Sequence, residues 1–247
     1  MLKAEDYRHI ALDDVQSTNT ECLEKAQAGD PGNLWITARR QLGGRGRRGR
    51  PWVSEAGNLY ASLLLIDPAP SPALASLPLV AALAVHGAIA RTLPDPDTSL
   101  KIKWPNDVLL NGGKVSGILL ESGIAPDGRR AVVIGCGVNV THAPQQAMYA
   151  TATLRDVGAV NSADEFFAYL CQSMAMELAR WDEGRNMAET RDLWLRHATG
   201  LGKEIIVNMP NASIEGIFRD LDDTGCLILE KPDGVLQSIA AGDLFFL

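Results

Sequence analysis

Between Arg39 and Arg50 the chain places six arginines and four glycines in twelve residues, with no carboxylate among them. The protein as a whole is acidic, with 30 Asp and Glu against 23 Lys and Arg and a net charge of −7. Cations gathered in an acidic chain imply a local anion. Glycine lets the backbone approach such an anion closely, and guanidinium groups offer forked donors that match phosphate oxygens. The stretch therefore suits a ligand that carries phosphates. It also suits a solvated mobile loop or an RNA contact, because an Arg/Gly pattern alone is weakly specific.

A second group of polar residues lies in KIKWPNDVLLNGGKVSGILLES, which reads as two apolar strands joined at Asn111-Gly112, a strong hairpin signal. With a two-residue loop, Leu109 pairs with Lys114 and Asp107 with Ser116. That register brings Asp107 and Lys114 close together across the ladder. An exposed hairpin charge is the commoner fate of a lysine, so Lys114 alone decides nothing.

The elements that must position these groups are legible in outline. Thr18 and Glu21 form a capping-box pattern before a short helix that ends at Gly29. LWITAR and NLYASLLLI read as strands flanking the arginine loop, and LPLVAALAVHGAIARTL as a buried helix with Pro78 in its first turn. AVVIGCGVNV is a further core strand. Two helices follow, one opened by a capping box at Ser162 and Glu165 and one ending on Gly200. From Lys203 onward there are only short strands separated by turn residues, which predicts a small antiparallel barrel or sheet docked on the larger part. Helices mixed with strands before it give an α+β class.

Composition narrows the function classes. The 247 residues suffice for a large domain plus a small one, and 46% hydrophobic residues describe an ordinary folded chain. The apolar run from Ala73 to Leu93 is interrupted by Pro78, His86 and Arg91 and reads as too short for a bilayer span. The N-terminus lacks the apolar run of a secretory signal, so a cytoplasmic address is expected. Cys22, Cys136, Cys171 and Cys226 are widely spaced and read as reduced, packed thiols. The acidic balance disfavours a general nucleic-acid role.

Taken in order, Gln16 to Asn19, Gln41 to Arg50, Lys103 to Asp107, Lys114 to Glu121 and Gly135 to Asn139 closely resemble the motifs of biotin protein ligases. The resemblance runs over nearly the whole chain, and GRGRRGR and KWPND are its most specific segments. It implies a mixed β-sheet catalytic domain with packed helices, of the class II synthetase kind, over residues 1–200, and an SH3-like β-barrel over 201–247. It further implies ATP-dependent formation of biotinyl-5′-AMP with release of pyrophosphate. Biotin would then pass to one lysine of a biotin carboxyl carrier protein of acetyl-CoA carboxylase or a related carboxylase.

Carried over residue by residue, Ser17 and Thr18 match positions that bind the ureido ring, and Gln41 one beside the biotin. Gly44, Arg45 and Arg47 match a loop that closes over biotin and adenylate, and Gly117 lies in the biotin wall. Lys114 matches the catalytic lysine near the carboxylate and α-phosphate, with Arg47 as its partner in catalysis. Arg48 and Arg50 belong with the nucleotide phosphates and Trp52 with adenine. Asn106, Asp107 and Asn139 match positions near ATP and its Mg²⁺, a metal held mainly through ATP phosphates with Asp107 in reach. Simpler roles stand beside these: Ser17 and Thr18 as helix caps, Trp52 and Trp104 as core, Asn139 as a strand end. Cys22 and Cys136 are expected to pack only.

The implied chemistry needs these cations. Two unit anions about 4 Å apart repel by about 4 kcal/mol at an effective dielectric near 20, and a carboxylate attacking ATP meets several such charges. A glycine-hinged lid, mobile without ligand, would keep water from the adenylate. Some family members carry an N-terminal DNA-binding winged helix; here the motifs begin at Ser17, so DNA binding is not expected. Members of the family often pair through the central sheet, so the resemblance allows a homodimer, while the residues themselves give no oligomeric state. The rivals are a lipoate protein ligase, whose usual lid differs from GRGRRGR, and an RNA-binding module.

Overall fold

The computed structural model describes residues 3–144, 149–209 and 212–246. Seven strands build the first sheet: β1 (Arg8–Val15), β2 (Leu34–Gln41), β3 (Leu59–Ile66), β4 (Leu100–Lys103), β5 (Asp107–Leu110), β6 (Gly113–Ile124) and β7 (Arg130–Val138). Their spatial order is β1-β2-β3-β7-β6-β5-β4, with β1 and β2 parallel and the other neighbours antiparallel. β3 sits inside this sheet and is buried at every position but Ile66, as a strand covered on both faces should be.

The period of two assigns the faces. Leu34 and Ile36 of β2, Leu64 of β3, and Ala131 and Val133 of β7 pack under Cys22 and Ala26 of helix α1 (Thr18–Gln27). The alternate residues Trp35, Leu63, Val132 and Ile134 join the main core on the other face. That core is filled by α2 (Leu77–Ala90), α3 (Ala163–Trp181) and α4 (Met187–His197). α2 is apolar all round and accordingly buried, and Pro78 lies in its first turn as expected. Counted with the turn before it, Ser71–Ala90 is 20 residues long with mean hydropathy 1.9, so the run is long and apolar enough to cross a membrane, contrary to the sequence expectation. It is 67% buried inside the protein, packed against α3.

The capping box before α3 forms, with Ser162 N donating to Glu165 Oε2 at 2.7 Å and Glu165 N to Ser162 Oγ at 3.2 Å. The one expected at Thr18 and Glu21 does not. Ser17 is the N-cap of α1, and Thr18 turns its donors to Gln41 instead. β1 went unread in the sequence because RHIALDDV lies at an edge and lacks clean alternation.

The hairpin is also richer than expected. It holds three strands, since Leu100–Lys103 folds back on Asp107–Leu110. Asn111 and Gly112 adopt φ of 48° and 82°, the left-handed pair of a tight hairpin turn. Leu109 faces Lys114 as expected, but a bulge shifts the register beyond it, so Asp107 faces Gly117 and not Ser116.

The second sheet comprises β8 (Glu204–Asn208), β9 (Ser213–Leu221), β10 (Leu227–Glu230), β11 (Leu236–Ile239) and β12 (Asp243–Phe246) in the order β11-β10-β9-β8-β12. It is antiparallel throughout. It docks on the first part through buried Trp104, whose Nε1 donates to Gly225 O at 3.2 Å, and through Gly225 itself, where a Cβ would come within 3.0 Å of the Leu79 side chain of α2.

Candidate active site

Where the sheet meets the start of α1 and the edge of the second sheet, a cavity of about 310 Å³ opens. Its floor is a hydrogen-bonded chain of short polar side chains. Thr18 N donates to Gln41 Oε1 at 2.9 Å, and Ser62 Oγ lies 2.7 Å from Thr18 Oγ1 and 2.6 Å from Asn19 Oδ1. Asn19 Nδ2 donates to Glu121 Oε2 at 2.8 Å, and Gln41 Nε2 to Ser54 Oγ at 3.1 Å. Thr18, Asn19 and Ser62 are buried and Gln41, Ser54 and Glu121 half-buried, so their pairing is what makes the burial tolerable. The side wall is glycine. A side chain at Gly137 would come within 2.6 Å of the Trp52 ring, and one at Gly117 within 3.0 Å of it and 3.2 Å of Lys114 Cε. The bulge thus sets a residue without a side chain opposite Asp107, where the lysine stem must lie.

Lys114 Nζ stands 2.7 Å from Asp107 Oδ1 at the centre of the cavity. It also lies 5.5 Å from the Trp52 ring centre and 5.3 Å from that of Tyr149. Asn139 donates its amide to Lys114 O at 3.4 Å and to Ala152 O at 3.2 Å, pinning the backbone that carries the lysine.

The arginine loop folds over this cavity, closed by Gly46 N donating to Arg50 O at 2.7 Å and Trp52 N to Gly44 O at 2.9 Å. Its cations are engaged by protein acceptors. Arg45 meets Glu121 along its fork, with NH2 3.0 Å from Oε2, and donates to Thr20 Oγ1 at 3.0 Å. Arg47 donates to Asn106 Oδ1 at 2.9 Å and to Gly242 O at 2.6 Å. Asp243, the first residue of β12, gathers Arg47 at 3.5 Å, Arg48 at 3.0 Å and Arg50 closer still. Burial pulls the Arg47 guanidinium below its ordinary range, with Asp243 and Asp107 opposing.

Among the sequence candidates, Ser17, Thr18, Gln41, Arg45, Arg47, Arg50, Trp52, Asn106, Asp107, Lys114 and Gly117 line this one cavity. Gly44, Arg48 and Asn139 stand outside its lining. Gly44 supports the lid, where a Cβ would come within 2.5 Å of Trp52 O. Sequence reading passed over Asn19, Glu121, Lys103 and Asp243. Asn19 adjoins Ser17 and Thr18 and was detectable as a polar residue on a buried helix face. Nothing in spacing could show that Asp243 returns to a loop some two hundred positions earlier. Cys22 and Cys136 are packed as expected, and burial pushes both thiols up to about 12.

A polar floor, a central ammonium and an arginine lid define a site for an anionic ligand that is activated through phosphate. The family described as the biotin/lipoate A/B protein ligase family matches residues 12–139, and the biotin protein ligase C-terminal domain matches residues 200–247. The chain is 42% identical over 238 residues to a biotin–[acetyl-CoA-carboxylase] ligase of Paracoccus denitrificans, covering 94% of this chain and 98% of that one. It is 33% identical to the corresponding ligase of Mycobacterium tuberculosis, covering 94% and 86%. A solved biotin protein ligase of Aquifex aeolicus, in complex with biotin and ATP, superposes with a TM-score of 0.81 at 27% identity, covering 96% of this chain and 97% of that chain. The chain belongs to the biotin protein ligase family.

Proposed function

We infer that the chain activates biotin with ATP as biotinyl-5′-AMP and transfers the biotinyl group to a lysine of a biotin carboxyl carrier domain of acetyl-CoA carboxylase or a related carboxylase. One observation carries the reading: the arginine lid and Lys114, 64 or more positions apart in sequence, flank a single cavity with a polar floor. In the first step a biotin carboxylate oxygen bonds to the α-phosphorus as the bond to the bridging oxygen breaks and pyrophosphate leaves with the electron pair. Lys114 is placed to draw the carboxylate and α-phosphate together, and the lid arginines to stabilise charge on the transferring oxygens. In the second step the acceptor amine attacks the acyl carbon, AMP departs with the bonding pair, and the amine loses a proton.

In this reading Ser17, Thr18 and Gln41 receive the ureido ring, Gly117 forms the biotin wall, and Arg45 and Arg47 close the lid with Gly44 as its support. Arg48, Arg50, Trp52, Asn106 and Asp107 serve the nucleotide, and Asn139 acts through the Lys114 backbone. The lid excludes water from the mixed anhydride until the acceptor arrives. Asp107 and Asp243 are the carboxylates lining the cavity, each already paired with cations, and no cluster of three or more His, Cys, Asp or Glu able to hold a metal occurs among the described residues. That donor set fits a Mg²⁺ that arrives on the nucleotide phosphates with Asp107 in reach, where it offsets phosphate charge.

The reading divides the chain into a catalytic part, residues 1–200, and an SH3-like part, residues 201–247, acting in the cytoplasm. Its homodimer pairs through the central sheet, for which β1 offers a free edge. Neither DNA nor a membrane is a partner, in keeping with the net charge of −7 and the burial of α2. Mass spectrometry of a carrier domain incubated with the protein, ATP, Mg²⁺ and biotin tests the activity, and the expected gain is one biotinyl group. Pyrophosphate exchange stimulated by lipoate and not by biotin would overturn it.

A further inference from the structure

We propose that Lys103 is the cation that receives the leaving pyrophosphate. This deepens the adenylation reading and rests on it.

Five cationic side chains line the cavity: Arg45, Arg47, Arg50, Lys103 and Lys114. Four of them already have a carboxylate within ion-pairing distance, Arg45 on Glu121, Arg47 and Arg50 on Asp243, and Lys114 on Asp107. Lys103 has none within 4 Å among the described residues. Asp107 is its direct cross-strand neighbour, yet that carboxylate is turned to Lys114. What Lys103 faces is the Phe245 ring of the second sheet, with Nζ 5.3 Å from its centre. An aromatic face compensates a desolvated ammonium less than a carboxylate does. Burial accordingly pulls the Lys103 ammonium below the ordinary lysine range, with Asp107 and Asp243 opposing the fall and the neighbouring Lys114 adding to it. A cation held partly desolvated without a counter-ion is the one with most to gain from an incoming anion.

Strand order supplies the direction. Gln41 ends β2, Gly137 lies on β7, Lys114 on β6, Asp107 on β5 and Lys103 on β4. Across the sheet these strands run β2-β3-β7-β6-β5-β4. Cross-strand register puts Gly137, Gly117, Asp107 and Lys103 on one line across β7, β6, β5 and β4; the Lys114 ammonium reaches that line at Asp107, and the floor assigned to biotin lies beyond it on the β2 side. Lys103 lies two strands from Lys114 and two residues along β4 from Lys101, the position level with it, and both side chains line the same cavity. Displacement at phosphorus places the attacking and leaving oxygens in line. With biotin entering from the β2 side, the bond to pyrophosphate breaks on the β4 side, where Lys103 waits.

The test splits the two half-reactions with Lys103→Met, which keeps the aliphatic stem against Phe245, and Lys103→Arg, which keeps the charge. Lys103→Met is expected to slow biotinyl-5′-AMP formation and biotin-dependent pyrophosphate exchange by on the order of 100-fold. Transfer to the carrier from added biotinyl-5′-AMP, which never meets pyrophosphate, stays within about twofold. Lys103→Arg recovers most of the exchange, and pyrophosphate alone raises the Tm of the wild type and of Lys103→Arg but not of Lys103→Met. Equal losses in both half-reactions, unchanged exchange in Lys103→Met, or no recovery in Lys103→Arg would each overturn the assignment. A wild-type chain that forms no adenylate in the same assay would refute the adenylation reading itself, and the assignment with it.

Discussion

Replacing Gly135 by alanine should damage the floor of the site by a calculable amount. Gly135 lies on β7 outside the left-handed region, so its backbone accepts alanine without strain, and the change alone would stabilise slightly. The new Cβ would nevertheless collide with Asn19 Oδ1 and stand 2.9 Å from Asn19 Cγ and 3.0 Å from Nδ2. Asn19 has no free direction of retreat, because Ser62 holds its Oδ1 at 2.6 Å and Glu121 its Nδ2 at 2.8 Å. Moving it forfeits one neutral bond of about 1 kcal/mol, one charge-assisted bond of about 2 kcal/mol and a longer bond from Nδ2 to Leu119 O at 3.3 Å, so at least about 3 kcal/mol is at stake. That loss is divided between folding stability, read by denaturant titration, and biotin affinity, read by calorimetry. Gly123→Ala on the adjacent strand, where the Cβ meets only the tip of Leu23 at 3.3 Å, is the neutral comparison. In an Asn19→Ala background the obstacle is gone, so most of the penalty of Gly135→Ala should vanish and the cycle should be strongly non-additive. A Gly135→Ala variant with unchanged stability and affinity, or a penalty that persists without Asn19, would refute the reasoning.

Lys114→Ala removes the central ammonium and should lower pyrophosphate exchange by on the order of 100-fold or more while circular dichroism stays unchanged. Arg47→Ala deletes the lid's bonds to Asn106, Gly242 O and Asp243 and should weaken biotin binding and let biotinyl-5′-AMP escape, measured as free adenylate by chromatography. Stability should also depend on pH through His86, whose pKa is pushed down to about 4 by burial and by His197, whose ring centre lies 4.0 Å away. Because the unfolded chain binds that proton near pH 6.5 and the folded one does not, stability is full above pH 6.5 and falls by about 3 kcal/mol as pH drops toward 4. Denaturant midpoints across that window check it, and His86→Gln should flatten the slope.

Much of this site was legible because its parts are local. GRGRRGR and the Lys103 to Asp107 segment concentrate rare residue types, and Asn111-Gly112 fixes a hairpin that delivers Lys114 opposite Leu109 whatever the rest of the fold does. Long apolar elements such as α2 and β3 announce themselves by the same logic. What escaped depends on contacts that no spacing encodes. The bulge beyond Leu109 replaces Ser116 by Gly117 opposite Asp107, a one-residue slip that leaves no side chain where the Lys114 stem lies. Thr18 had the pattern of a helix cap, and tertiary structure spent its donors on Gln41 instead. Asp243 looks like an ordinary strand-edge acid until the second sheet docks.

Asp243 also explains how an acidic protein keeps a dense cluster of arginines folded down over one cavity. Arg47, Arg48 and Arg50 would repel one another there without an anion, and a single carboxylate from β12 supplies it. Glu121 does the same for Arg45, and Asp107 for Lys114. In the proposed reaction nucleotide phosphates entering this site would exchange one set of counter-ions for another, and the affinity gained would be the difference between the two sets, not the sum of the new contacts. The arrangement favours polyvalent anions, which can satisfy several arginines at once, over the lone carboxylates already present. It also ties the state of the lid to the docking of the second sheet, since the residue that holds three of the lid's arginines stands on β12 and moves only when that sheet moves.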